Sequence, residues 1–127
     1  MHKYTKHFTP AEASATLPLV KNIVSDILRE GTILIRMKEA GEAADETVVR
    51  QQTGVVSGLL GELKELGCFF KGENFDVGLV DFPALIEGVE VLLCWKSDEG
   101  PTLEWYHPLD GGFASRQRIP QLQPTGS

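Results

Sequence analysis

Five side chains in the second half of the chain have types and spacing that could do chemistry: Asp81, Cys94, Glu104, His107 and Arg116. The stretch from Gly78 to His107, GLVDFPALIEGVEVLLCWKSDEGPTLEWYH, alternates apolar positions, and Glu87-Gly88 interrupts it like a two-residue hairpin loop. Counting outward from that loop pairs Ile86 with Val89, Ala84 with Val91, Phe82 with Leu93 and Val80 with Trp95. A second turn centred on Ser97 to Pro101 then sets Trp95 opposite Leu103 and Leu93 opposite Trp105. The other face of the same count lines up Asp81, Cys94 and Glu104 across three strands. Lys96 and Tyr106 lie beside them, and directly opposed Cβ atoms are ~5 Å apart.

Thiolate and carboxylate oxygens are acceptable ligands for a divalent metal such as zinc, so Asp81, Cys94 and Glu104 form a candidate metal set. His107 stands three positions from Glu104, which on a strand turns it to the opposite face and out of that set. Two nearby carboxylates would raise the thiol pKa, so a reactive cysteine is disfavoured. The favoured reading makes Cys94 a small buried hydrophobe and pairs Lys96 with Glu104 or Asp81; a divalent metal is possible but not favoured. A separate ligand pocket would use Asp81, His107 and Arg116, with His107 as acid, base or ligand beside Asp81 or Asp110. Against that pocket stands a purely hydrogen-bonded His107 at a strand end. Gly111-Gly112 with Arg116 and Arg118 could cradle an anion, and equally could be a tight turn with surface ion pairs. The chain has no GxGxxG, GxxxxGK, GxSxG or HExxH motif, so the common nucleotide, hydrolase and zincin signatures are missing.

The elements that must position these residues are legible upstream. Thr9-Pro10-Ala11-Glu12 reads as a capping box with proline at the first helical position. Pro18 should break or kink that helix, with the longer body beginning near Leu17. Leu17, Val20, Val24, Ile27 and Leu34 make an apolar stripe to about Glu39, and a turn follows around Ala40 to Glu42. A second helix carries Val48, Val55, Leu59 and Leu66, supported by Val56, Leu60 and Leu63. Its glycines Gly54, Gly58 and Gly61 fall on one side and point to close contact with another backbone, and Gly67 reads as the left-handed cap. Cys68-Phe69-Phe70 would open the sheet.

Residues GLVDFPA from Gly78, Leu93-Cys94-Trp95, the aromatic-histidine pair Tyr106-His107, Asp110, Gly112-Phe113 and Arg116 together resemble a bacterial family of small uncharacterised proteins, a domain of unknown function. The opening FTPAEASATLPLV, with Pro18 in place, is similar to that family's first helix. The resemblance implies the fold and carries no activity with it. The chain departs from the family pattern at Tyr106, where tryptophan is usual, and at the longer Ser97-Asp98-Glu99-Gly100 turn.

The expected architecture is α+β: a long antiparallel helical hairpin, about 10–67, followed by a three- to four-stranded antiparallel meander at 68–119, packed on the helices. A flexible tail, 120–127, completes one domain of 127 residues. A net charge of −6 argues against nucleic acid as partner. Two cysteines without CxxC spacing, no leader and no membrane span point to a reduced cytoplasmic protein. Surplus apolar residues, Ile33 and Ile35 beside the helical stripe and Leu79, Leu85, Leu92 and Tyr106 outside the sheet's core face, suggest a homo-oligomeric interaction or structural protein, a dimer first. The alternative is a small-ligand or metal-binding protein, possibly an enzyme, built around Asp81, His107 and Arg116.

Overall fold

The structure is a computed structural model that describes residues 2–72 and 74–120, so the tail expected at 120–127 lies, beyond Pro120, outside the described residues. Helix α1 (Pro10–Glu39) starts at the capping box: Thr9 Oγ1 accepts from the Glu12 N–H at 3.0 Å, and Glu12 Oε1 accepts from the Thr9 N–H at 2.9 Å. Of the break or kink expected at Pro18 there is no break, and α1 runs through it. Proline forfeits one backbone bond there, while Ala13, Leu17, Val20 and Val24 around it are buried and hold the turn in place.

A short 3-10 turn, Gly41–Ala43, leads to α2 (Glu46–Leu66). Asp45 Oδ1 caps α2 by accepting from the Thr47 N–H at 2.8 Å, and Gly67 ends it at φ 98°. The buried stripe of α2 is rotated from the expected one. Val56 and Leu63 face the core, whereas Val48 and Val55 are each 44% exposed. Val55 and Val56 are about 100° apart on a helix, so only one of them can point inward. Among the described residues nothing stands within 4 Å of where a Cβ of Gly54, Gly58 or Gly61 would be, so the close backbone contact expected of them is not made there. No helix of the described residues is long and apolar enough to cross a membrane.

Five antiparallel strands follow in sequential order: β1 (Phe69–Lys71), β2 (Leu79–Ile86), β3 (Val89–Lys96), β4 (Trp105–Pro108) and β5 (Gln117–Arg118). The fold is α+β, with five strands where three to four were expected; β5 has two residues and no periodicity to read. The β2–β3 hairpin has the counted register, Ile86 with Val89 through Val80 with Trp95. Its loop works because Glu87 and Gly88 both adopt positive φ, 52° and 80°, as a type I′ turn requires. Val80, Phe82, Ala84, Val91, Leu93 and Trp95 form the inner face and share one core with Leu17, Val20, Val24 and Ile27 of α1 and Leu63 of α2.

The β3–β4 register differs by one residue from the count. Leu93 faces Tyr106, Cys94 faces Trp105 and Leu92 faces His107. The turn closes early, with the Glu99 N–H donating to the Lys96 carbonyl at 2.9 Å, yet β4 does not begin until Trp105. The irregular residues between keep Leu103 in the core and absorb one position. A slip of one reverses the face of every residue in a strand. Trp105 and His107 therefore join Asp81 and Cys94 on the outer face, and Tyr106 turns toward the core.

Candidate metal centre

The outer face is covered by the chain itself, at both ends. Residues 2–8 form an arm that ends at the β2 edge with the Phe8 N–H donating to the Pro83 carbonyl at 2.7 Å, where Phe8 turns into the core and packs edge-on against Phe82. Glu90 of β3 fastens the rest of the arm: Oε1 accepts from the Lys3 N–H at 2.7 Å, and Oε2 accepts from the Tyr4 N–H at 2.9 Å and lies 2.7 Å from His7 Nε2. At the other end, the β4–β5 connection folds over Asp81, Cys94 and His107. That connection is tightened by Gly111 N–H donating to the Pro108 carbonyl at 3.0 Å and by Ser115 Oγ bonding both polar backbone groups of Gly112.

Under this second cover, Asp81, Cys94 and His107 are all buried, and their potential ligand atoms lie within 4.8 Å of one another. β2 supplies Asp81 directly opposite Cys94 of β3, and β4 supplies His107 on the diagonal. His107 Nδ1 lies 2.8 Å from the Pro108 carbonyl. A carbonyl only accepts, so Nδ1 carries the proton, while Nε2 faces Asp81 Oδ1 at 3.4 Å. Metal-binding histidines are oriented in this way, by a hydrogen-bond acceptor on the other nitrogen.

The electrostatics follow from burial. Desolvation raises the Asp81 carboxyl above its ordinary value, against the opposing pull of His107 and, more weakly, of Lys71 and Cys94. Burial, then the charge of Asp81, pushes the Cys94 thiol up to about 11, with Arg116 opposing. The thiol is a poor nucleophile in that state, whereas a bound dication would deprotonate it outright. One of the three separations suits such an ion, and the group as a whole lies within 4.8 Å. Two ligands each about 2.0–2.1 Å from a tetrahedral metal are about 3.3–3.4 Å apart, while a charge-assisted N–H···O bond is about 2.7–2.9 Å long. The His107–Asp81 separation matches the first.

The cluster opens on a cavity of about 180 Å³. Lys71 lines it together with Leu79, Leu92, Leu109 and Phe113. Lys71 escaped notice in the sequence because nothing local ties β1 to this face; its register opposite Leu79 does so.

The other residues singled out in the sequence lie elsewhere. Glu104 is outside the cluster and pairs with Arg118 at 3.0 Å. Lys96 pairs with Asp98 at 3.3 Å, not with Glu104 or Asp81. Arg116 makes a two-pronged bond to Glu99, at 2.7 and 3.0 Å, and stacks on Phe113 and Trp105; it neighbours the Cys94 thiol and does not pair with Asp81 or His107. Asp110 is exposed. The backbone donors of Gly111 and Gly112 are used within the loop, which leaves no anion cradle there.

A second gathering of potential ligands, His2, His7 and Glu90, lies under the arm. Its 2.7 Å His7–Glu90 contact is a hydrogen bond, shorter than the spacing of two ligands on one tetrahedral ion. Burial raises the Glu90 carboxyl, but the His7 bond and the Tyr4 and Lys3 N–H groups outweigh it and bring the carboxyl down to about 2.

No curated protein and no solved structure matches the chain. The resemblance read from GLVDFPA, the aromatic-histidine pair and the opening helix does have a counterpart among family models. One described as an uncharacterized conserved protein (DUF2203) matches residues 6–119, and the chain belongs to that family.

Proposed function

We propose that this protein binds a divalent transition metal, zinc being the best fit, through Asp81, Cys94 and His107. The observation that carries the reading is the 3.4 Å separation of His107 Nε2 and Asp81 Oδ1, with Nε2 turned inward by the Pro108 carbonyl and the Cys94 thiol alongside. Carboxylate oxygen, imidazole nitrogen and thiolate sulfur together suit zinc, and a dication with two anionic ligands gives a neutral buried centre. A thiolate ligand needs a reducing compartment, so the proposal includes a cytoplasmic setting. Purified protein grown with supplemented zinc should carry about one ion per chain by elemental analysis, and cobalt substitution should give a thiolate-to-metal absorption band. Metal-free protein after such growth, or a cobalt form without the band, sinks the reading.

Self-association into a dimer is a second reading, supported by the outward side of α2. Val48 and Val55 are half-exposed beside Gly54 and Gly58, which leave room for a close backbone approach. Light scattering should give a dimer at micromolar concentration that Val55→Glu converts to monomer with little change in thermal midpoint. A clean monomer of the unaltered chain ends this reading.

A further inference from the structure

We infer that the metal-loaded centre takes a small monoanionic carboxylate with a short hydrocarbon tail at the ion's open position. The inference rests on the metal reading above. Three protein ligands leave a tetrahedral ion one position short, the arrangement of sites that accept an exogenous ligand. The space beside the cluster is the cavity of about 180 Å³, so no side chain among the described residues fills it.

Charge selects the ligand's sign. A dication, the Cys94 thiolate, the Asp81 carboxylate and a neutral His107 sum to zero. Lys71 at the cavity adds a positive charge, and Asp81 is the single carboxylate among the described residues lining it. Arg116 adds nothing net because Glu99 holds it in a two-pronged pair. One negative charge therefore balances the loaded site.

The walls select the rest of the molecule. Leu79, Leu92, Leu109 and Phe113 offer apolar surface, against which a polyanion or a polyol would lose its hydration without compensation. A purely apolar guest would leave the ion and Lys71 without a partner. At about 30 Å³ per water, the cavity corresponds to about six waters, room for a carboxylate carrying a short chain of carbons.

The test measures zinc content and binding of butyrate on the same preparation of the full chain, by calorimetry, beside butylamine, 1-butanol and inorganic phosphate. Butyrate should bind the zinc form and the other three should not. Lys71→Met, at an exposed strand position, should weaken butyrate by about 10-fold or more with zinc content unchanged, the worth of one charge-assisted contact. Removal of zinc should weaken it at least as much. Butylamine, butanol or phosphate binding as tightly as butyrate, or Lys71→Met leaving its affinity unchanged, overturns the inference. Zinc content near one per chain in those same samples would leave the metal reading standing. A chain that takes up no zinc overturns both.

Discussion

Two carboxylate–imidazole pairs sit on the same face of one sheet and behave in opposite ways. Glu90 and His7 meet at 2.7 Å with side chains 8% and 16% exposed, and the carboxyl is held down at about 2. Asp81 and His107 stand 3.4 Å apart, both side chains 5% exposed, and the carboxyl is pushed above its ordinary value. The imidazole is common to both, so it does not decide the outcome. Glu90 also accepts two backbone N–H groups from the arm, whereas His107 is Asp81's one close ionic partner among the described residues. Backbone donors finish the solvation of the first carboxylate. The second is buried, with His107 beyond the usual length of a charge-assisted bond, and burial favours its neutral form.

The strongest way to break this contrast is with metal. Cys94→Ser or His107→Ala should lower zinc affinity by about 100-fold or more in a chelator competition, and Glu90→Gln should leave it unchanged. Loss of zinc from the Glu90 variant alone would reverse the roles assigned to the two pairs.

The next effect is in acid. Glu90 has a folded pKa of about 2 against an ordinary 4.5, so the stability it contributes is complete above the ordinary value and is lost as pH falls toward about 2. Unfolding midpoints of metal-free protein followed from pH 7 to pH 2 should therefore fall steeply below pH 4.5, and Glu90→Gln should flatten that limb and lower the plateau above it.

Asp81 has the opposite sign. Its raised folded pKa means its favourable contribution is present below the ordinary 3.8 and is lost as pH rises through the raised value. Asp81→Asn should accordingly raise the neutral-pH midpoint of the metal-free protein by a few degrees and lose that advantage in acid. A variant less stable than the parent at neutral pH and equal to it in acid would contradict the burial argument. The smallest change is expected for His7→Ala, which leaves both backbone donors on Glu90 and should lower the midpoint less than Glu90→Gln does.

How much of this was legible in the sequence varies with how locally it is determined. The β2–β3 hairpin could be counted residue by residue, because Glu87-Gly88 suits a turn with two left-handed residues and fixes the register. The β4 register could not, because the residues after Gly100 have no ladder to count along, and the lost position exchanged Glu104 for His107 in the cluster. The sequence count thus placed Asp81 beside Cys94 and assigned the third partner to the wrong face. On α2, adjacent valines at 55 and 56 left the stripe ambiguous by one residue. The arm was illegible for another reason: its anchor Glu90 is 83 residues from His7, and no periodicity links such distant positions.

The way β2 is bordered has a consequence for solubility. β1 covers only Leu79 to Asp81, and Phe8 takes over further along, at Pro83 and Ala84. The Pro83 carbonyl points to the arm, and in an extended strand the nitrogen of the same residue points the same way, so the proline removes no donor from the β3 ladder. Trimming residues 2–8 would bare a strand margin beside the apolar run Phe82 to Ile86, a template on which a second molecule's strand could add. Pro83 would then be the one guard left on that margin, and a truncated chain should form fibrils or precipitate where the full chain stays clear.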